Sequence, residues 1–350
     1  MMLKSNSIGR IVQTTLLASL IAGVTSVSSV AVAKNVTLRM ATWLPARHHL
    51  PANTLPPWIE AIRKASNGSI NIVIDKAPIA KPPAQYDIVR KGAADLSYHV
   101  MAYTPGPFEI VRGVELPFIS PNAEIGSQAA WDWYDRNIGF DKEFKDVKVV
   151  TMMVHGPGLV HTRKLIKTLA DLQNVKLRVG GGGVRMAQAL GATPVAMSAP
   201  KAYEAIQKGV TDGALFPYES VAGFKLFELT KFHLEVPGGL YTTPFAIVMN
   251  KKKWNSLTSD QQAVLTEWGG VKGAKMLGAG WDRADVVGKK KGLDNGATVN
   301  VLSKAEQAKW AAKIAFMADV WVDKANKAGY DGKALLADLK KTVAKFAAMQ

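Results

Sequence analysis

The stretch VKLRVGGGGVRMAQAL (residues 175–190) decides the fold class. Its first part, Lys176–Val179, alternates polar and apolar residues as a strand does, and its last part, Val184–Leu190, has the spacing of a helix. Four glycines, Gly180–Gly183, join the two. A strand that passes through a short loop into a helix is the building unit of α/β proteins, in which ligands bind beyond the carboxyl ends of strands.

The same alternation of strands and helices extends along most of the chain and predicts α/β architecture. Further strands are predicted at residues 36–43, 69–74, 95–101, 147–154, 214–216 and 245–250, and further helices at 56–67, 86–92, 124–137 and 201–208. From Thr258 onward the pattern is helical. One long helix is predicted over 259–291, where Gly269, Gly270, Gly273, Gly278 and Gly280 would weaken or bend it, and two more are predicted over 305–328 and 333–349.

Composition narrows the class of protein. The chain has 350 residues, of which 48% are hydrophobic and 21% charged, as in a folded globular protein. It has no cysteine, which excludes thiol nucleophiles, disulfides and thiolate zinc sites. The net charge of +16 favours anionic partners. Lysine and arginine are spread along the chain instead of following one stripe, so a nucleic acid is not expected.

The N-terminal 33 residues have the pattern of a signal peptide. Lys4 and Arg10 precede an apolar stretch, and Ala31-Val32-Ala33 is a small-x-small cleavage site. A membrane anchor is the alternative, but the apolar stretch is short and contains several serines and threonines. We therefore expect an exported protein that begins after residue 33.

The familiar catalytic motifs are absent from the sequence. It contains no G-x-S-x-G, H-E-x-x-H or G-x-x-x-x-G-K-[ST] pattern. Of six histidines only His48 and His49 are adjacent, and neighbouring side chains on a strand or helix point apart, so no metal site is expected. Nothing implies a cofactor. These absences favour a protein that is not an enzyme.

Arg178 is the candidate for anion binding. It lies on the polar face of its predicted strand, just before the four glycines, and its planar guanidinium could hold a carboxylate through two hydrogen bonds. A surface salt bridge is the alternative. The four glycines have three possible roles: a nucleotide-binding loop, a flexible entry into the helix, or the lining of a ligand cleft. The G-x-G-x-x-G spacing of a nucleotide-binding loop is missing.

Several short motifs together resemble a known family. In chain order they are Gly92–Asp95 (GAAD), Leu116-Pro117-Phe118, Leu169–Leu172 (LADL) running into Lys176-Leu177-Arg178, Leu190–Val195 (LGATPV), Tyr203–Gly213 (YEAIQKGVTDG) and Trp254–Leu257 (WNSL). Their order and spacing resemble the extracytoplasmic solute-binding subunits of TRAP transporters, of the dicarboxylate-binding type. The resemblance covers about residues 35 to 345.

That resemblance implies a two-lobed periplasmic binding protein fold with hinge-crossing strands and a long lobe-spanning helix. It implies one lobe from residues 34–154 plus 246–285 and another from 155–245 plus 286–350. A periplasmic protein of this type captures a small organic acid and delivers it to the membrane permease subunits, with Arg178 holding the carboxylate. A ligand-presenting subunit of a membrane sensor and an exported enzyme acting on an anionic substrate stay as alternatives.

The chain departs from the family pattern in ways that bear on the ligand. Lys201 replaces a glutamate that is common in the family, and Phe216-Pro217-Tyr218-Glu219 replaces a segment that often holds asparagine. Aromatic residues at predicted strand ends or loops are expected to line the cleft and to suit an apolar or aromatic acid; they are Trp43, Tyr98, Phe216, Tyr218 and Tyr241. Glu219 could bind a ligand amine or hydroxyl, or pair with a lysine.

Overall fold

A computed structural model describes residues 35–104 and 106–350. The predicted signal peptide, residues 1–33, lies outside these residues. The described part forms two mixed sheets. The strands are β1 (Val36–Ala41), β2 (Ile70–Ile74), β3 (Leu96–Val100), β4 (Val147–Val154), β5 (Leu159–Thr162), β6 (Lys176–Val179), β7 (Thr193–Ala196), β8 (Gly213–Phe216), β9 (Phe232–Glu235), β10 (Pro244–Asn250) and β11 (Thr298–Val301).

Each sheet contains parallel and antiparallel pairs. The five-stranded sheet has the order β2-β1-β3-β10-β4, in which β10 is antiparallel to both neighbours. The six-stranded sheet has the order β11-β9-β5-β8-β6-β7, in which β5 is antiparallel to both neighbours. The predicted α/β class and two-lobed fold are confirmed. Sequence patterning missed β5, β7, β9 and β11, each of which is only four residues long. A segment that short gives little periodic signal.

Helices cover both sheets. The α-helices are α1 (Leu55–Ala65), α2 (Gln85–Arg90), α3 (Ala123–Asn137), α4 (Phe140–Glu143), α5 (Val184–Ala189), α6 (Ala202–Gln207), α7 (Glu219–Gly223), α8 (Lys251–Asn255), α9 (Ser259–Trp268), α10 (Gly270–Asp294), α11 (Lys304–Ile314), α12 (Phe316–Lys327) and α13 (Gly332–Ala347). Among the described residues, none of the helices is long and apolar enough to cross a membrane.

The chain passes from one sheet to the other in the segments 155–158, between β4 and β5, and 236–243, between β9 and β10. These two segments are hydrogen-bonded to each other: Gly158 N–H donates to the Tyr241 carbonyl at 2.7 Å, and Leu240 N–H donates to the Gly158 carbonyl at 3.0 Å. These two hydrogen-bonded segments therefore connect the two sheets.

The predicted long helix is two helices. Gly269, with φ −80° and ψ −133°, ends α9, and α10 continues from Gly270. The other glycines lie within α10 without ending it, and they let it approach its neighbours. A Cβ at Gly278 would lie 2.6 Å from the Ala123 carbonyl oxygen at the start of α3, and a Cβ at Gly288 would lie 1.9 Å from the Tyr218 carbonyl oxygen just before α7.

Two aspartates one turn apart on α10 attach it to α3 and α7, one aspartate to each helix. Asp282 accepts hydrogen bonds from the N–H groups of Ala123 and Glu124, at the N-terminus of α3, at 2.7 and 2.9 Å. Asp285 accepts from Glu219 N–H, at the start of α7, at 2.6 Å. Helix α3 packs on β4 of the five-stranded sheet and α7 follows β8 of the six-stranded sheet. Helix α10 is therefore the structural link between the two sheets, as expected of a lobe-spanning helix.

We expect Gly288→Ala to destabilise the protein. Alanine favours a helix interior by roughly 1 kcal/mol over glycine, but the added Cβ would collide with the Tyr218 backbone. Such overpacking typically costs about 1–3 kcal/mol, so the free energy of unfolding in urea should fall. Val287→Ala is the matched control, because Val287 is 60% exposed on the same helix and should change stability by less than about 0.5 kcal/mol. Equal effects of the two substitutions would contradict the proposed close approach.

The predicted lobe boundaries stay a prediction. The C-terminal helices bear on one of them, because α13 packs against α3 and Trp321 of α12 belongs to the same hydrophobic cluster as Trp133 of α3. This packing favours grouping α12 and α13 with the five-stranded sheet instead of with the lobe made of 155–245 plus 286–350. Helix α11 packs elsewhere, since Trp310 lies in the core of the six-stranded sheet.

Candidate functional site

A cleft between the two sheets is the candidate site. It contains about 720 Å³ of space free of protein atoms, part of which is open to solvent. Six of the seven residues predicted from the sequence line it: Trp43, Tyr98, Arg178, Phe216, Glu219 and Tyr241. Trp43 lies just beyond the end of β1, and Tyr98 is on β3. Arg178 is on β6, Phe216 is on β8, α7 begins with Glu219, and Tyr241 lies in a crossing segment.

Arg178 is buried in the wall of this cleft, with only 2% of its surface exposed. Its Nε and Nη2 donate to the Met197 carbonyl at 3.1 and 2.8 Å, and its Nη1 lies 3.4 Å from the Leu215 carbonyl. The guanidinium carbon lies 4.0 Å from the centre of the Phe216 ring. The alternative that Arg178 forms a surface salt bridge is therefore wrong. Its strand, β6, is an inner strand of the sheet, and the end of β6 is covered by the opposite side of the cleft.

No ion pair of the described chain includes Arg178; its partners are carbonyl groups, one phenol and one aromatic face. A buried cation is expensive unless a counter-charge compensates it. Carbonyl dipoles compensate only in part. The described residues therefore leave the Arg178 guanidinium without a counter-charge in the wall of the cleft.

Tyr103 reaches Arg178 from the opposite side of the cleft. It follows β3 of the five-stranded sheet, and its hydroxyl oxygen lies 3.2 Å from Arg178 Nη2 and accepts a hydrogen bond from Ala199 N–H at 2.9 Å. Trp43 packs beside Tyr103, with ring centres 6.2 Å apart, and its Nε1 is buried with no hydrogen-bond partner among the described residues. A free indole donor thus lies near the arginine end of the cleft.

Aromatic rings form much of the remaining wall. They are Trp43, Tyr98, Phe216, Phe224, Tyr241, Phe245 and Trp281. Phe216 and Phe224 stack with ring centres 5.8 Å apart, and Phe245 and Trp281 stack at 5.2 Å. Such walls favour a flat apolar solute over a polyhydroxylated one.

Glu219 is a buried acid in the same cleft, with 2% of its surface exposed. Its Oε1 lies 2.6 Å from His48 Nε2, and its Oε2 accepts a hydrogen bond from Ser220 Oγ at 2.9 Å. Burial alone would raise the pKa of Glu219, but the charge of His48 and its hydrogen bond, helped by His49 and Ser220, lower it to about 2. Glu219 is therefore a carboxylate at neutral pH. Its titratable partners are His48 and His49, so the predicted alternative of a lysine partner is wrong.

His48 and His49 lie close together, contrary to the expectation that adjacent side chains point apart. They occupy a turn before a π-helical segment, Leu50–Thr54, and their ring centres are 4.7 Å apart. With Glu219 they place three potential metal-ligating atoms within 4.8 Å of one another. However, His48 Nδ1 accepts a hydrogen bond from Leu50 N–H at 3.3 Å, and its Nε2 lies 2.6 Å from Glu219 Oε1. Both ring nitrogens of His48 therefore already face protein groups.

His155 also lines the cleft and stays neutral. Its Nδ1 lies 2.5 Å from the Gly156 carbonyl and its Nε2 lies 3.1 Å from Thr243 Oγ1. Burial lowers its pKa to about 4, against a smaller opposite effect of its backbone hydrogen bond and of Glu219. It offers the cleft an uncharged ring edge.

Three of the four glycines line the cleft, which is one of the three alternatives for this loop. Gly181–Gly183 form a single 3₁₀ turn before α5, and Gly180, Gly182 and Gly183 all face the cleft. A Cβ at Gly182 would lie 2.4 Å from Glu115 Oε2 on the opposite side. Glycine at this position thus allows the two sides to meet.

Tyr218 is the predicted site residue that the structure does not bring to the cleft. Pro217 turns the chain, so that the Tyr218 ring packs on His161 and His233 and its hydroxyl lies 3.0 Å from Glu235 Oε1. The sequence analysis also missed cleft residues, namely Tyr103, Glu115, His48, His155, Phe224, Phe245 and Trp281. Tyr103, just beyond the end of β3, and Phe245, at the start of β10, could have been inferred from their positions at strand ends.

Comparisons with known proteins bear on the family and the fold. Residues 41–324 match the family model described as bacterial extracellular solute-binding protein, family 7. A TRAP solute-binding protein from Bordetella bronchiseptica with bound (R)- and (S)-mandelate is 33% identical, with a TM-score of 0.85 over 89% of this chain and 99% of that one. One from Rhodoferax ferrireducens with copurified benzoate is 33% identical, with a TM-score of 0.85 over 90% and 99%.

A third structure is a marine metagenome TRAP solute-binding protein specific for aromatic acids, in complex with 3-hydroxybenzoate. It is 37% identical, with a TM-score of 0.84 over 90% of this chain and 99% of that one. Curated relatives match less completely: this chain spans 40% to 70% of their length at 22% to 33% identity. These findings confirm the resemblance to TRAP-transporter receptors, and the chain belongs to the bacterial extracellular solute-binding proteins of family 7.

Proposed function

We propose that this protein captures an aromatic carboxylate in the periplasm and delivers it to the membrane subunits of a TRAP transporter. The single observation that carries the proposal is a buried guanidinium without a counter-charge at the end of an aromatic cleft. A carboxylate would compensate Arg178 through charge-assisted hydrogen bonds, while the ring of the ligand would lie among the aromatic side chains.

The relatives support the same ligand class. The three structures above hold mandelate, benzoate and 3-hydroxybenzoate, each an aromatic ring with a carboxylate. Family membership supports a small organic acid and a binding role in place of catalysis. Export through a cleaved N-terminal segment and transfer to permease subunits complete the proposal.

Calorimetric titration of residues 34–350 tests the ligand class. We expect benzoate, mandelate or a hydroxybenzoate to bind with a Kd in the micromolar range or below, which corresponds to about −8 kcal/mol or better. Succinate and malate as dicarboxylates, glucuronate as a polyhydroxylated acid and benzamide as a neutral ring serve as comparisons. Preferential binding of one of these comparison solutes would contradict the proposal.

Removing aromatic walls should weaken aromatic ligands selectively. We expect Phe216→Ala and Trp43→Ala to weaken benzoate binding by about 10-fold to 100-fold, because each removes roughly 1.5–3 kcal/mol of apolar contact, and to affect a small aliphatic acid such as propionate much less. Tyr218→Ala is the matched control, since this aromatic residue lies outside the cleft. Equal losses for both acids would show that the two rings support the fold and do not contact the ligand.

A further inference from the structure

The cleft has a second polar end, away from Arg178. Glu219 Oε1 and Trp281 Nε1 are both buried, both belong to cleft-lining residues, and neither forms a well-directed hydrogen bond within the described residues. His48 Nε2 lies 2.6 Å from Glu219 Oε1, but its N–H does not point along the line between them. Glu219 Oε1 thus has a close but poorly directed His48 neighbour, and Trp281 Nε1 has no hydrogen-bond partner among the described residues.

Ring contacts place Trp281 at this end of the cleft. Its ring centre lies 6.3 Å from that of His48 and 4.6 Å from that of His49, the two histidines that flank Glu219. Trp43 and Tyr103, by contrast, pack together beside Arg178. The cleft therefore has an arginine end and a Glu219–Trp281 end, with Phe216, Phe224 and Phe245 among the rings that line it.

We propose that Glu219 and Trp281 select an aromatic acid that carries a hydroxyl group on the part of the molecule away from its carboxylate. The hydroxyl would donate to Glu219 Oε1 and accept from Trp281 Nε1–H. This proposal rests on the proposed function and narrows its ligand class.

The two bonds have a clear physical reason. An unsubstituted ring would leave the indole N–H buried without a partner and Glu219 Oε1 with only its poorly directed His48 contact. A site built for a hydroxyl rejects the analogue that lacks it for this reason. The negative charge of Glu219 also disfavours a second carboxylate at this end. A hydroxyl satisfies both groups without adding charge.

The first arm of the test compares ligands on the wild-type protein. Calorimetric Kd values are measured for benzoate, 3-hydroxybenzoate, 4-hydroxybenzoate and 3-methoxybenzoate. We expect at least one hydroxybenzoate to bind 10-fold or more tightly than benzoate. The methoxy compound, which cannot donate a hydrogen bond, should bind no better than benzoate. A methoxy compound that binds as tightly as the hydroxyl compound would overturn the proposal.

The second arm compares variants. Glu219→Gln keeps the shape but removes the charge, and Trp281→Phe removes the N–H donor. Each should lower affinity for the preferred hydroxybenzoate by 5-fold or more. The affinity of both variants for benzoate should stay the same or improve. A purely structural defect would weaken the binding of both ligands. Tyr218→Phe, next in sequence to Glu219 but outside the cleft, is the control, and ligand-free thermal midpoints check the fold.

The outcomes separate this proposal from the proposed function. If aromatic acids bind but hydroxyl and unsubstituted forms bind equally, or if Glu219→Gln weakens both by the same factor, the selection of a hydroxyl is wrong and the aromatic-acid receptor stands. If none of the aromatic acids binds the wild-type protein, both proposals are wrong.

Discussion

Arg178→Met should weaken benzoate binding by more than about 100-fold. Breaking a buried charge pair by removing one partner typically costs about 3–5 kcal/mol, and each 1.4 kcal/mol is a factor of ten in affinity. The ligand carboxylate would then be buried against methionine, with Tyr103 and the Trp43 indole as its remaining neighbours. Isothermal titration calorimetry of the ligand-free protein with benzoate measures the loss.

Arg178→Lys distinguishes charge from geometry. Lysine keeps the positive charge but lacks the planar fork that contacts the Met197 and Leu215 carbonyls and Tyr103. We therefore expect an intermediate loss, about 10-fold to 100-fold, because a single ammonium group cannot satisfy these partners and a carboxylate together.

Arg185→Met is the matched control, because Arg185 is exposed and removing it changes the net charge equally. It should change benzoate affinity by less than about twofold. If Arg178→Met also binds benzoate within threefold of the wild-type protein, the carboxylate is held elsewhere and the arginine has only a structural role.

The position of Arg178 could be predicted from the sequence because it depends on local pattern. A short alternating strand, a glycine loop and a helix define the end of β6, and the ligand side of an α/β sheet follows from that order. Phe216, at the end of β8, follows from the same reasoning. Tyr218 fails it, because Pro217 and the start of α7 at Glu219 turn the chain away from the strand direction.

The second end of the cleft could not be predicted in the same way. His48, Glu219 and Trp281 come from three segments more than 60 residues apart, and they meet only because α10 is held at fixed points by Asp282 and Asp285. The helical periodicity of α10 indicates that it has an apolar face, but it does not indicate which other elements that face packs against. Its glycines, interpreted from the sequence as weak points, are contact points, and a single sequence does not distinguish these roles.

His99 is a buried group with a large expected effect on acid stability. It lies in β3 between Tyr86 and Phe108, with ring centres 5.3 and 5.1 Å away, and neither ring nitrogen has a hydrogen-bond partner within the described residues. Burial lowers its pKa from 6.5 to about 3. The unfolded chain therefore binds a proton that the folded protein does not accept between pH 6.5 and about pH 3.

The sign of the pH dependence follows from this difference in bound protons. The stability supplied by keeping His99 neutral is fully present above pH 6.5 and is lost as the pH falls toward 3, by about 1.4 kcal/mol per pH unit. His99→Phe removes this penalty. The free energy of unfolding of the variant minus that of the wild-type protein should be about 2 kcal/mol more favourable at pH 5 than at pH 7.5.

Urea unfolding of both proteins at pH 7.5, 6, 5 and 4 measures this gain. Phenylalanine is larger than histidine and could strain the cluster, but such a packing cost is the same at every pH and does not alter the slope. His99→Met supplies a more adaptable side chain and should give the same slope. Phe108→Leu, in the same cluster, should lower stability equally at each pH. A His99→Phe difference that is flat between pH 7.5 and 4 would mean that this imidazole is protonated, or hydrogen-bonded, in the folded protein.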